Sequence, residues 1–253
     1  MCLRYAIFIF FLYCFLTSSV AFSAKDKLTA SVPSFAPFYF VTDKEKCQGV
    51  AVNVLKKISE QINYPVEVLS LPYARIIHSL DVGTLDLALI FKNNTIADSI
   101  DYIGPISLSK VIILTALDNP IDKYSELNNL MAIAVIRNAQ FELQFDQDKS
   151  LNKVSVESYS QAVKLFKLGR VDAVIGSLVG LDYELRAQNL NVKMLDAAFQ
   201  LGKKQWWLHV SNKTSNPSLL SQLALAVKNT YRPELIYQTY LKHINDCQVS
   251  LLL

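Results

Sequence analysis

Apolar residues along this chain follow two rhythms. Val50, Val54, Leu55, Ile58 and Ile62 recur at the spacing that lines one face of a helix, and Asn63-Tyr64-Pro65 ends the pattern. Val66 to Leu71 then reads as an extended segment, a second helical pattern runs up to Gly83, and Leu85 to Leu89 reads as a buried strand. The same succession returns later, with a β-like Val154 to Val156, a helical pattern, Gly169 and the apolar run Val171 to Ile175. The two copies are closely alike: Leu80-Asp81-Val82-Gly83-Thr84-Leu85-Asp86-Leu87-Ala88-Leu89 against Phe166-Lys167-Leu168-Gly169-Arg170-Val171-Asp172-Ala173-Val174-Ile175. Each glycine stands where a left-handed helix cap is expected. Each is also preceded by a tyrosine ten residues upstream, Tyr73 and Tyr159. A strand-helix-strand unit of this kind belongs to a parallel sheet, so two copies predict two α/β lobes with room for a small ligand between them.

Between the repeats the pattern is less regular. Leu28 to Val32 alternates as a strand and enters Pro33-Ser34-Phe35-Ala36-Pro37-Phe38-Tyr39-Phe40, a loop whose two prolines rule out a helix and whose four rings are available for contact. A polar patch, Lys92-Asn93-Asn94-Thr95, leads to Tyr102-Ile103-Gly104-Pro105, the apolar run Val111 to Leu114, and a hinge or linker candidate at Asp118-Asn119-Pro120. Met131 to Ile136 is expected as a strand ending in Arg137-Asn138, Lys193 to Leu195 as a short strand, and Gln205 to Val210 as the strand that returns to the first lobe. Leu219 to Thr230 and Pro233 to Ile244 are expected as closing helices.

Composition narrows the setting. Arg4, the apolar core Ala6 to Leu16 and the small residues Ala21 and Ser23 mark residues 1–23 as a cleavable secretory signal peptide. With 25 basic and 22 acidic residues the chain lacks the charge footprint of a nucleic-acid binder. No later stretch is apolar for long enough to span a bilayer. After the signal only Cys47 and Cys247 remain, and in an oxidising compartment such a pair reads as a disulfide, two buried thiols being the alternative. His78, His209 and His243 are scattered with no metal-ligand spacing, so neither a metal nor a cofactor is expected.

The order of an aromatic loop with Pro37-Phe38, Gly49 before a helix, Leu80 to Asp86, Gly104-Pro105, and Gly169 to Ala173 resembles the bacterial extracellular solute-binding proteins of family 3. The resemblance implies an α/β type II periplasmic binding protein fold with two lobes, a central cleft and two crossover hinge segments. Residues 24–114 and 209–253 would form lobe 1, and 115–208 lobe 2. A lobe built from both chain ends supplies the return that a Cys47–Cys247 bridge needs. Amino-acid-binding members hold the ligand's carboxylate with an arginine after the first repeat and its ammonium with an acid after the second. This chain has no arginine between Arg75 and Arg137, and Ser177 stands near the acidic position. Lysine does not reproduce a bidentate guanidinium, so a standard α-amino acid is not the expected ligand.

The residues expected to meet a solute are Phe38 and Tyr39 in the aromatic loop, Tyr73 and Arg75 at the start of a helix, Asn93, Asn94 and Thr95 after the first repeat's strand, and Arg137, Ser177 and Trp207 in the second half. Asp86 and Asp172, each just before a buried strand, read as structural. The expected protein is a monomeric periplasmic receptor that clamps a small polar solute and delivers it to an inner-membrane transporter. A sensing module for a signalling partner, or a dehydratase-like enzyme on the same fold, are the alternatives. No Ser-His-Asp arrangement or phosphate loop supports catalysis.

Overall fold

The computed structural model describes residues 27–44, 47–214 and 216–247, and the expected signal peptide at 1–23 lies outside the described residues. The chain begins with β1 (Leu28–Pro33), passes through the aromatic loop, and enters α1 (Val50–Ile62). The loop and the helix meet tightly at Gly49, where φ is +124° and a Cβ would fall 2.2 Å from the Phe38 carbonyl oxygen, so a side chain there would collide with backbone. β2 (Val66–Leu71), α2 (Tyr73–Val82) and β3 (Leu87–Phe91) follow, and β1 pairs in parallel with both β2 and β3.

β4 (Ile100–Thr115) then leaves this group for the second one: β5 (Ile133–Ile136), the short α3 (Leu143–Gln147), β6 (Lys153–Val156), α4 (Tyr159–Lys167), β7 (Ala173–Ser177) and α5 (Leu178–Ala187). β5 pairs in parallel with β6 and β7. β8 (Phe199–Ser211) returns the chain, and α6 (Pro217–Thr230) and α7 (Leu235–Asp246) pack against α1. The resulting strand order is β2-β1-β3-β8-β4-β7-β5-β6. β4 and β8 run antiparallel through the middle, joining β3 on one side to β7 on the other.

The passage between the lobes therefore lies inside β4 and β8. Asp118-Asn119-Pro120 follows β4 at its far end. Pro105 is accommodated in this long strand because the β4–β8 register shifts around it, and a bulge is where a sheet tolerates a missing N–H. Lys193 to Leu195, expected as a strand, belongs instead to a 3-10 turn, Val192–Leu195. The Asn191 side chain accepts the Lys193 N–H at 3.0 Å and starts that turn.

The two repeat units close in the same way. Thr84 N–H donates to Ser79 O and Arg170 N–H to Leu165 O, each at 2.9 Å, around Gly83 (φ 78°) and Gly169 (φ 63°). This is the geometry that satisfies the last carbonyls of a helix across a left-handed residue. The repeated aspartates also match. Asp86 accepts the Thr29 N–H and hydroxyl, both at 2.7 Å, at the head of β1, and Asp172 accepts the Met131 N–H ahead of β5.

Cys47 and Cys247 form a disulfide across 200 residues of sequence, with Cα atoms 5.6 Å apart. It ties the segment between the aromatic loop and α1 to the end of α7. Closing a loop of that length restricts the unfolded chain by about 5 kcal/mol in the chain-entropy model. The double variant Cys47→Ser/Cys247→Ser is expected to lose about 2–5 kcal/mol in chemical denaturation. An unchanged midpoint and slope would remove the bridge from the account of stability.

Candidate functional site

The repeats bring two helix starts to the same place. Tyr73 opens α2 in lobe 1 and Tyr159 opens α4 in lobe 2, and both line a small cavity between the lobes. The cavity holds about 20 Å³, roughly the room of one water. Pro33, Phe35, Phe38, Tyr73, Phe91 and Trp206 approach from β1, its loop, α2, β3 and the crossing strand β8. Ile136, Ala139, Phe141, Tyr159 and Ser177 approach from lobe 2. None of these lining residues carries a charge. Wider hollows lie on the outer surface, between α1 and α7 and beside α5, where the repeats do not converge.

Most of the ring pairs are edge to face, the arrangement their quadrupoles favour, and Phe38 is tilted by 49° against Trp206. Phe38 lies 4.9 Å from Trp206, and Phe91 lies 4.9 Å from the same indole. Across the lobes, Phe35 meets Tyr159 at 5.2 Å and Phe91 meets Phe141 at 6.5 Å. Hydrogen bonds also run directly from lobe to lobe. Asn93 Nδ2 donates to Asn138 O at 3.2 Å, and Asn94 N–H to Gln140 Oε1 at 2.8 Å. Asn138 presents its carbonyl from a left-handed turn (φ 60°), a conformation asparagine tolerates where most side chains do not. On another face, Tyr240 of α7 donates to Asp182 of α5 at 2.6 Å.

The polar groups lining the cavity are mostly committed. The Trp206 indole N–H donates to Ser109 Oγ at 2.8 Å. Ser177 caps α5, its Oγ accepting the Gly180 N–H at 3.2 Å, while its own N–H donates to the Tyr159 hydroxyl at 2.9 Å. The Tyr73 hydroxyl is buried and has no hydrogen-bond partner. Burial holds both tyrosines well above the usual phenol range, and for Tyr73 the neighbouring Tyr159 adds to it, so both remain protonated donors in any physiological setting. The carboxylate nearest in influence is Asp146, whose two oxygens accept the Phe141 N–H at 3.1 and 3.0 Å.

Of the residues expected from sequence, Phe38, Tyr73 and Ser177 reach the cavity. Asn93 lies buried beside it as a bridge between lobes, and Thr95 is spent on Asn93, donating its N–H and hydroxyl to Asn93 Oδ1. Tyr39 is half-buried and Arg75 exposed, and neither lines the cavity. Asn94 is exposed, and Arg137 is exposed and paired with Glu157 at 3.0 Å. Trp207 faces the opposite side of β8, where Lys92 Nζ sits 4.3 Å above its ring; its neighbour Trp206 faces the cavity. Phe35, Phe91, Phe141 and Tyr159 complete the lining without having been singled out as ligand contacts. For Tyr159 the signal was present, since it occupies in the second repeat the place Tyr73 occupies in the first.

Behind the cavity, His209 on β8 is buried and held in one tautomer. Its Nε2 accepts the Asn93 N–H at 3.3 Å and its Nδ1 faces Trp207 O at 3.0 Å, so the proton resides on Nδ1. Burial lowers its pKa from 6.5 to about 4, helped by the nearby Lys92 charge.

A sheet continuous through two crossing strands, with a cavity where two repeated helices converge, defines a two-lobe α/β binding module. The family model for bacterial extracellular solute-binding proteins, family 3, matches residues 28–246, and the chain belongs to that family. Solved structures agree on the fold. An arginine-bound Gly52Ala mutant of ArgBP from T. maritima superposes with a TM-score of 0.66 at 16% identity, covering 81% of this chain and 95% of that one. A histidine kinase sensor domain with similarity to periplasmic binding proteins gives 0.68 at 15%, covering 88% and 96%. The VFT2 domain of Bordetella pertussis BvgS, as a F375E/Q461E double mutant, gives 0.67 at 17%, covering 85% and 92%. No curated protein sequence matches the chain. No described helix is long and apolar enough to cross a membrane.

The His209 geometry has a consequence for acid stability. The folded protein keeps the ring neutral down to about pH 4, whereas an unfolded chain protonates it near 6.5. Stability present above pH 6.5 is therefore lost progressively as the pH falls toward 4. His209→Gln, whose carbonyl can still accept the Asn93 N–H, is expected to flatten this part of the stability profile. An identical slope for variant and wild type in denaturation at pH 4 to 7 would exclude His209 as its source.

Proposed function

We propose that the protein is a periplasmic receptor whose lobes close over a small uncharged solute with a flat, ring-like apolar body, and that a membrane partner reads the closed form. The lining of the interlobe cavity carries this reading. Aromatic faces meet there from both lobes, and no cation or carboxylate lines it among the described residues. A charged solute would lose its hydration with no opposite charge to replace it, at a cost far above that of a neutral one. Arg75 and Arg137, the two arginines nearest the cleft in sequence, are both on the surface.

Delivery to an inner-membrane transporter is the function expected from the family. The direct lobe-to-lobe bonds of Asn93, Asn94 and Tyr240 favour sensing as a second reading. They give the closed arrangement stability of its own, so that a solute would adjust an existing equilibrium. In neither role does the reading assign a catalytic residue.

A thermal-shift panel on the purified protein distinguishes solute classes. Benzamide, phenol and indole are expected to raise the melting temperature, while L-arginine and L-glutamate leave it unchanged. Stabilisation by arginine or glutamate together with indifference to every ring compound would refute the uncharged-solute reading.

A further inference from the structure

The cavity's rings explain attraction for an apolar body and say nothing yet about what fixes its orientation. Two hydroxyls supply that. The Tyr73 hydroxyl is buried without a partner, although the Asn93 amide is close by. One Nδ2 proton of that amide is spent on Asn138 O and its Oδ1 accepts the Thr95 N–H and hydroxyl, so it can meet Tyr73 only by donating its second Nδ2 proton to the phenol oxygen, which leaves the Tyr73 proton without an acceptor. The Tyr159 oxygen accepts the Ser177 N–H and is also met by the Ser177 side chain; with both bonds accepted, a phenol still has its own proton to donate.

The Tyr159 ring is also set in a fixed seat. A Cβ on Gly176 would lie 2.4 Å from its Cε1, and one on Gly180 2.2 Å from its Cε2. The ring thus rests on bare backbone from β7 on one edge and α5 on the other, which leaves it little freedom to turn away. Tyr73 stands at the matching point of the other repeat. Tyr73 and Tyr159 thus line the same cavity from opposite lobes, near enough for one to influence the other's ionisation.

Resting on the uncharged-solute reading above, we propose that Tyr73 and Tyr159 form a two-hydroxyl anchor for a single carbonyl oxygen, selecting ring compounds that bear an amide or ketone group. A carbonyl has two lone pairs and accepts from both phenols at once. A ring lacking that group leaves the Tyr73 hydroxyl buried and unpaired, and sites built around such a bond discriminate strongly against analogues that cannot make it. A carboxylate could also accept two bonds, but it would be buried with no cation among the lining residues.

The test compares wild type, Tyr73→Phe and Tyr159→Phe by calorimetric titration with benzamide and with toluene, and by melting without any solute. Wild type is expected to bind benzamide more tightly than toluene, and Tyr73→Phe to lose about tenfold in benzamide affinity while toluene affinity stays within about twofold. Melting separates the two tyrosines. Tyr73→Phe removes an unpartnered buried hydroxyl and is expected to hold or raise the melting temperature, by up to about 4 °C, whereas Tyr159→Phe strips the Ser177 N–H of its acceptor and lowers it. Benzamide and toluene binding wild type equally well, or Tyr73→Phe melting lower while its benzamide affinity is unchanged, would overturn the anchor and leave the uncharged ring site standing. If neither compound binds wild type, both readings fall.

Discussion

The antiparallel pairing of β4 with β8 is the constraint on which everything else depends. These two strands are the backbone of both lobes at once, with β3 bonded along one part of β8 and β7 along one part of β4. A lobe cannot move relative to the other without bending this ladder, and the ladder already contains its irregularities around Gly104 and Pro105 and again near Val111. Sheets bend and twist most readily at such bulges. The same strands fix the cavity floor, because the phase of β8 decides that Trp206 and not Trp207 faces inward. A slip of one residue would exchange the two and place the Lys92 contact where the cavity is.

On that floor the cavity and its surroundings are assembled from pieces that each have another role. Phe38 belongs to a loop held against Gly49 and tied through Cys47 to α7. Ser177 ends β7 and caps α5. Asn93 ends the first repeat and bridges to the Asn138 turn. The charged groups that sequence placed nearby are drawn outward instead, Arg137 by Glu157 and Lys92 by the ring of Trp207. What remains inside is apolar surface with a few hydroxyls.

Much of the fold was legible because the repeated units carry strong local signals. The helix over Val50–Ile62, the strand over Val66–Leu71 and the two glycine caps all follow from periodicity and backbone conformation that neighbours reinforce. β4 was legible only in fragments, since Gly104-Pro105 and Lys110 interrupt its pattern and only pairing with β8 keeps the chain extended through them. The 3-10 turn at Val192–Leu195 was misread for the converse reason: a local Asn191 cap outweighed the β propensity of a few apolar residues. The site was harder still. Phe91 and Phe141 meet through tertiary placement of two unrelated loops and strands, which no spacing in the sequence encodes. Arg137 was expected at a solute because it follows the first strand of the second half, and its pairing with Glu157, which follows a different strand, is a tertiary contact that its position did not signal. Tyr159 alone could have been inferred, from symmetry with Tyr73.

The most direct measurement is a crystal structure of the protein with the solute that remains bound through purification, after its identification by mass spectrometry. The account predicts an uncharged ring compound between Tyr73 and Tyr159, against Trp206, with the lobes parted just enough to admit it. A charged solute held at Arg137, or one seated in the outer hollow between α1 and α7, would contradict it.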